Sequence, residues 1–171
     1  MKAPIVLKPY DPNWTVLFEA ERDAMERLDR GWFKAIHHVG STSIPGIAAK
    51  PIIDILVALH RDEDGPACVG AMAELGHEYR GDGGIPGRHY FRKGNPHTYH
   101  VHMWAKHHPE IARHLRFRDY LRAHPDEACT YEKLKRELAA RFGSDTFSYS
   151  LAKNEFCARI DRLAKMQRAR D

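Results

Sequence analysis

The stretch HHVGSTSIPGIAAKPIIDILVAL, residues 37–59, decides how this chain is read. An apolar run ends at Val39, a hydroxyl-rich turn follows, Pro45-Gly46 redirect the chain, and a second apolar run from Pro51 to Leu59 carries one charge, Asp54. A run of that length, bounded by turn residues, suits a largely buried strand. Burying a lone carboxylate is costly unless a cation or hydrogen-bond donors meet it. Asp54 is therefore expected where the strand emerges into a site.

Working outward, WFKAIHHV at 32–39 suits the partner strand. Upstream, Asp11-Pro12 reads as a cap and first helical residue, and Trp14, Leu17, Phe18, Met25 and Leu28 recur at helical spacing, giving a helix over 12–30 that stops at Gly31. Downstream, 66–75 closed by Gly76 reads as a second helix and 77–80 as a short strand. HYFRK and TYHVHMW flank Gly94-Asn95-Pro96, a hairpin signal. Helices are expected to start at Pro109 and Pro125, the second ending at Gly143, with a last helix over 148–168. The expectation is an α/β (α+β) chain of one domain over residues 1–171: a small mixed β-sheet flanked by helices, with a helical C-terminal part.

Composition sets the outer limits. The 171 residues are 43% hydrophobic and 29% charged, as in ordinary globular proteins. The longest apolar stretch is far short of the roughly 20 residues that span a bilayer, and the N-terminus lacks the apolar centre of a signal peptide. Cysteines at 68, 129 and 157 form no CxxC pair, which suits a reduced, cytoplasmic setting. The formal charge of +4 gathers after Arg113. Nucleic acid is a weak alternative partner, because mixed signs such as EKLKRE at 132–137 usually mark a solvated helix face.

Gly40-Ser41-Thr42-Ser43 offers backbone amides and three hydroxyls with little bulk, a combination that can wrap a phosphate. Lys50 lies at the loop's exit as a countercharge. This is not a Walker A loop: Gly46 follows Gly40 by six residues, and Ile47 stands where Lys is required. Nor is GDGGIPG a dinucleotide fingerprint, since Pro86 takes the last glycine position. A plain polar turn is the alternative reading. Asp54 beside such a loop is what a divalent cation carrying phosphates would use.

The segments VLKPYDPNW, HVGSTSIPGIAAKPIIDILV, RHYFRK and HVH resemble the GrpB family over nearly the whole chain. That family is placed in the nucleotidyltransferase superfamily, and a similar domain is fused to dephospho-CoA kinase in some bacteria. The resemblance implies a nucleotidyltransferase-like fold, with Gly40 and Ser41 at the turn and Asp54 as first acid, Asp54 and Ser41 being the candidate catalytic residues. Active members of the superfamily carry a second acid two residues on, where this chain has Leu56, and no acid occurs in TYHVHMW. A standard two-Mg²⁺ site is thus not expected.

His100 and His102 alternate across Val101 and so share one strand face. If their strand neighbours that of Asp54, the three form a His-His-carboxylate set for a divalent ion, with Zn²⁺ or Mn²⁺ favoured over Mg²⁺. Hydrogen-bonded imidazoles on a polar face are the alternative. Of His37 and His38, the latter is expected to look into the cleft. Arg88, Tyr90 and Arg92 share a face, two guanidiniums for phosphate and a ring to stack on a base, with Phe91 turned to the core. Tyr149 and Lys153 match a Tyr-x-x-x-Lys feature associated with the family, at a spacing that lets both approach one ligand. His107, His108, His114 and His124 read as helix-end or helix-surface residues. The reading is of metal-assisted nucleotidyl or phosphoryl transfer. Its alternatives are a nucleotide-binding or phosphate-binding module without chemistry, linked to coenzyme A metabolism, or an RNA-contacting domain.

Overall fold

The computed structural model describes residues 4–169. Helix α1, Asn13–Leu28, starts where the Asp11 carboxylate accepts the Asn13 amide at 2.9 Å. It ends where Asp29 Oδ1 gathers the amides of Gly31, Trp32 and Phe33. Strand β1, Phe33–Val39, and strand β2, Ile53–Leu59, follow as an antiparallel pair joined through a one-turn 3₁₀ segment at Ser41–Ser43. Two short helices, α2 (Asp64–Ala67) and α3 (Val69–Glu74), precede strands β3 (Glu78–Tyr79), β4 (His89–Lys93) and β5 (Tyr99–Ala105). Helices α4 (Pro109–Ala123), α5 (Pro125–Phe142), α6 (Thr146–Ala152) and α7 (Asn154–Arg168) complete the chain.

The sheet order is β1-β2-β5-β4-β3. Only β2 and β5 run parallel, so the sheet is mixed, as expected. Strand alternation sorts its two faces. Ile53, Ile55, Val57 and Leu59 of β2 join Val101, Met103 and Phe91 against Trp14, Phe18 and Met25 of α1 and Met72 of α3. On the other face, Leu56 and Ala58 pack with Val39, Trp104 and Ile111 under α4. A third cluster, Ile44, Ile47, Leu121, Tyr131, Phe156 and Ile160, ties the loop after β1 to the C-terminal helices.

Two helix assignments change. The second helix begins at Asp64 rather than Pro66, because the Asp64 carboxylate takes the Arg61 amide at 2.9 Å, and it breaks at Cys68. The expected helix over 148–168 is two helices. The Asp145 carboxylate accepts the amides of Phe147 and Ser148, starting α6 early, and at Lys153 the amide bonds back to Ser150, a tighter turn that separates α6 from α7.

A cationic cleft around Asp54, His100 and His102

Register assembles the centre of the site. Across the parallel β2–β5 pair, Asp54 stands opposite His100 and Leu56 opposite His102; across β5–β4, His100 faces Arg92 and His102 faces Tyr90. All of these point to the face away from α1. His100 Nδ1 lies 3.5 Å and His102 Nε2 3.4 Å from Asp54 Oδ1, and one ligand atom from each of the three residues falls within 4.8 Å of the others. Burial alone would raise the Asp54 pKa, but hydrogen bonds from His100 and His102 outweigh it and hold the carboxyl well below its usual range. Burial lowers the pKa of His102 more than Asp54 raises it, so that imidazole is neutral at pH 7.

The three groups fit a single transition-metal ion. Tetrahedral coordination at bonds of about 2.1 Å places ligand atoms roughly 3.4 Å apart, and two imidazoles with one carboxylate leave a position open. A second ion has no place: Leu56 is fully buried with Trp104, and among the described residues no further acid lines the cleft.

The cleft that opens beyond Asp54 has a volume of about 800 Å³. Ser41, Thr42, Lys50, Arg88, Tyr90, Arg92 and His100 form one wall, and Lys135, Tyr149 and Lys153 the other. The Tyr149 ring lies 5.3 Å from Lys50 Nζ and 4.5 Å from Lys153 Nζ. Burial, with Lys153 next in weight, pushes the Lys135 amine down to about 7; burial and then Lys50 push Lys153 down to about 8, and burial lowers Lys50 as well. Lys135 is 1% exposed and donates to the Ala48 carbonyl. Among the described residues, none of Lys50, Arg88, Arg92, Lys135 or Lys153 forms an ion pair with a carboxylate. Five cations thus face one acid, Asp54.

Several expected roles shift. Gly40 has φ +69°, and a Cβ there would lie 2.4 Å from Asp54 Oδ2, so this glycine admits the carboxylate rather than lining the cleft. Ser43 turns away: its hydroxyl donates to the Gly40 carbonyl at 2.6 Å. Thr42 Oγ1 bonds His38 Nε2 at 2.9 Å and the Ile52 carbonyl, which leaves the Ser41 side chain as the loop's accessible hydroxyl, hydrogen-bonded to Tyr131. Tyr90 is 6% exposed, with Arg88 and Arg92 over its ring, His102 stacked at 5.2 Å and Arg92 Nε donating to its hydroxyl. No face remains for a base. His38 stands opposite Ile55 and stacks on Phe18 on the α1 face; the side that Asp54 shares belongs to His37 and Val39. His108 is a helix-end residue as expected, its ring accepting the Glu110 amide at the start of α4, but it and the half-buried His114 also pack on Trp104, at 5.7 and 5.5 Å, and His114 lies 6.2 Å from His102.

Lys135 was hidden in the charge-rich EKLKRE. The signal was its position: Ala128, Tyr131, Lys135 and Leu138 form one buried stripe of α5, so a lysine sits where an apolar residue belongs. Neighbouring basic residues behave as a solvated face should, Arg136 pairing with Glu132, Arg159 with Glu127, and Arg116 and Lys165 with Asp161.

This chain has known counterparts. Residues 4–162 match the profile described as GrpB protein, and the chain belongs to that family. The crystal structure of conserved protein GrpB from Enterococcus faecalis superposes with a TM-score of 0.87 at 37% identity, covering 95% of this chain and 98% of that one. UPF0157 protein YqkA of Bacillus subtilis is 42% identical over 96% of this chain, but the match spans 48% of YqkA's own length. The glutamate-rich protein GrpB of Alkalihalophilus pseudofirmus is 33% identical over 93% of this chain and 95% of its own. No helix among the described residues is long and apolar enough to cross a membrane.

Proposed function

We propose that the cleft binds a nucleotide, or another small molecule carrying two or more phosphate charges, together with one divalent ion, in the manner of a nucleotidyltransferase. The observation that carries this reading is the set of five cationic side chains facing a single carboxylate. Buried lysines without counter-ions are costly, and a polyanion is the ligand that offsets that cost. Arg88 and Arg92 suit bidentate contact with phosphoryl oxygens, Lys50 adds a point charge beside them, and Lys135 and Lys153 supply point charges from the other wall. Ser41 stands at the rim with a hydroxyl for the same ligand.

Asp54, His100 and His102 would hold the ion, Zn²⁺ or Mn²⁺ ahead of Mg²⁺ on the softness of two imidazoles. Such an ion polarises a phosphoryl oxygen. The surrounding guanidiniums and ammoniums neutralise charge that grows in nucleotidyl or phosphoryl transfer. Three free thiols, one of them exposed, suit a reducing cytoplasm.

A second reading, that the site binds without reacting and serves beside coenzyme A metabolism, is favoured by Leu56, which closes the position a second acid would occupy. One experiment separates the two. Nucleotides and coenzyme A precursors are screened by thermal shift with Zn²⁺, Mn²⁺ or Mg²⁺, and phosphate and pyrophosphate release is followed in parallel. Ligand-dependent stabilisation with product release that Asp54→Asn abolishes supports transfer. Stabilisation with no product supports the binding module, and no stabilisation by any phosphate ligand removes both.

A further inference from the structure

Arg88 is held on three sides. Its Nε donates to the Asp82 carbonyl at 2.9 Å, its Nη2 to the Gly83 carbonyl at 2.9 Å, and its Nη1 meets His102 Nδ1 at 3.3 Å. Gly83 is part of this clamp: at φ +56°, a Cβ there would lie 2.5 Å from Arg88 Nη2. The guanidinium is also packed 4.4 Å from the centre of the Tyr90 ring, and the residue is 9% exposed.

A guanidinium has donors and no acceptor, so the His102 nitrogen it meets must accept. His102 Nδ1 is therefore bare, and the single proton of the neutral ring sits on Nε2, where it donates to Asp54 Oδ1 at 3.4 Å. Ring stacking on Tyr90 and Trp104 fixes the plane in which both contacts are made. An ion at Asp54 needs the lone pair of that same Nε2. The proton must then move to Nδ1, which would set an imidazole N–H against a guanidinium N–H. Metal ligands depend on the partner of the second nitrogen in just this way: an acceptor there helps, a donor hinders.

We propose that Arg88 couples the two ligands of the cleft: it keeps His102 in the tautomer that refuses a metal ion until a phosphate group draws the guanidinium away, so that ion and phosphate bind cooperatively. The proposal rests on the functional reading above and adds an order to it. Arg88 has no carboxylate partner among the described residues, so a phosphoryl oxygen in the cleft meets no competing anion for it. The coupling is reciprocal: the bound ion raises affinity for phosphate by the same factor.

The tautomer is read directly by long-range ¹H–¹⁵N NMR of the histidine-labelled, metal-free protein, the His102 signal being assigned by His102→Ala. The Nε2–H form is expected in the wild type, giving way to Nδ1–H once Zn²⁺ and pyrophosphate are both present. An Nδ1–H ring in the metal-free wild type overturns the proposal. Zn²⁺ affinity is then measured at buffered free metal for Arg88→Met and for Arg92→Met, which removes equal charge from the same wall without touching His102. Arg88→Met is expected to bind Zn²⁺ about tenfold or more tightly without pyrophosphate and to lose the coupling; Arg92→Met is expected to gain much less in that pyrophosphate-free measurement, while weakening pyrophosphate binding itself. Equal gains in both variants would mean simple charge repulsion and would also overturn it. Zn²⁺ binding that needs His100 and His102 but ignores Arg88 defeats the coupling alone. If no Zn²⁺ binds with or without pyrophosphate, the metal reading fails and the coupling with it.

Discussion

Gly40 and Asp54 are fitted to one another: the carboxylate occupies the space that any side chain at position 40 would need, with Oδ2 2.4 Å from the place of a Cβ. Strand β1 ends and β2 begins at this contact, since Val39 is paired with Asp54 in the antiparallel register. The backbone at Gly40 is also left-handed, so a substitution meets both strain and a clash. Gly40→Ala is expected to cost about 1–3 kcal/mol of stability and to displace Asp54 from His100 and His102. Urea titration reads the first effect and Zn²⁺ affinity the second; a variant with wild-type values for both would contradict the fit.

The pH dependence of the cleft follows from Lys135 and Lys153, whose folded values near 7 and 8 lie below the ordinary 10.5. Between those limits the unfolded chain binds more protons than the folded one, so stability rises with pH. The cost of the buried charge is present in full below about pH 7 and gone above 10.5. Denaturation midpoints are expected to rise from pH 7 to 9.5 in the wild type, with a shallower slope in Lys135→Met.

Pyrophosphate should reverse that depression by supplying counter-charge. Its binding at pH 8 is expected to take up protons, seen as a calorimetric heat that varies with the ionisation enthalpy of the buffer. Lys153→Met should reduce the uptake. Binding with no proton exchange would place the phosphates away from the lysines.

Tyr90 tests positioning against contact. Its hydroxyl takes Arg92 Nε at 3.0 Å, and its ring carries both guanidiniums. Tyr90→Phe keeps the ring and frees Arg92, so pyrophosphate affinity should fall by a factor of about 3 to 10, the worth of one hydrogen bond, with the fold intact by circular dichroism. Tyr90→Leu should fall further through loss of the cation–π contacts.

Restoring the missing acid is not expected to restore a second metal position. Leu56 is fully buried with Val39, Trp104 and Ile111, so Leu56→Asp sets a carboxylate among apolar groups. A destabilisation of about 3–5 kcal/mol is expected, the scale of an uncompensated buried charge. A stable variant that binds two ions per chain would refute this.

Much of the arrangement could be read from residue order because period-two alternation is a local property. His100 with His102, and Arg88 with Tyr90 and Arg92, follow from spacing alone, and so does Phe91 in the core. The parallel pairing of β2 with β5 is not local: a long stretch of chain, residues 60–98, separates Leu59 from Tyr99, and nothing along it states which strands become neighbours. His38 departs from its expected place for a related reason. Alternation alone sets His38 on the side of Gly40, but the chain turns at that glycine (φ +69°), and His38 stands opposite Ile55 on the face away from Asp54. The hydroxyls of Thr42 and Ser43 were legible as residues but not as already engaged: Ile52 reaches Thr42 only through the fold, and Ser43 is taken by the Gly40 carbonyl within its own turn.

The pairing of β2 with β5 has a consequence for how the molecule matures. Sliding β5 by a single residue would send both imidazoles to the α1 side and leave the acid behind, and sliding β2 would send the acid there without them. The three side chains proposed to hold an ion therefore meet only when the central seam has closed in its final alignment, so under that proposal metal capture would be a late marker of a correctly folded chain.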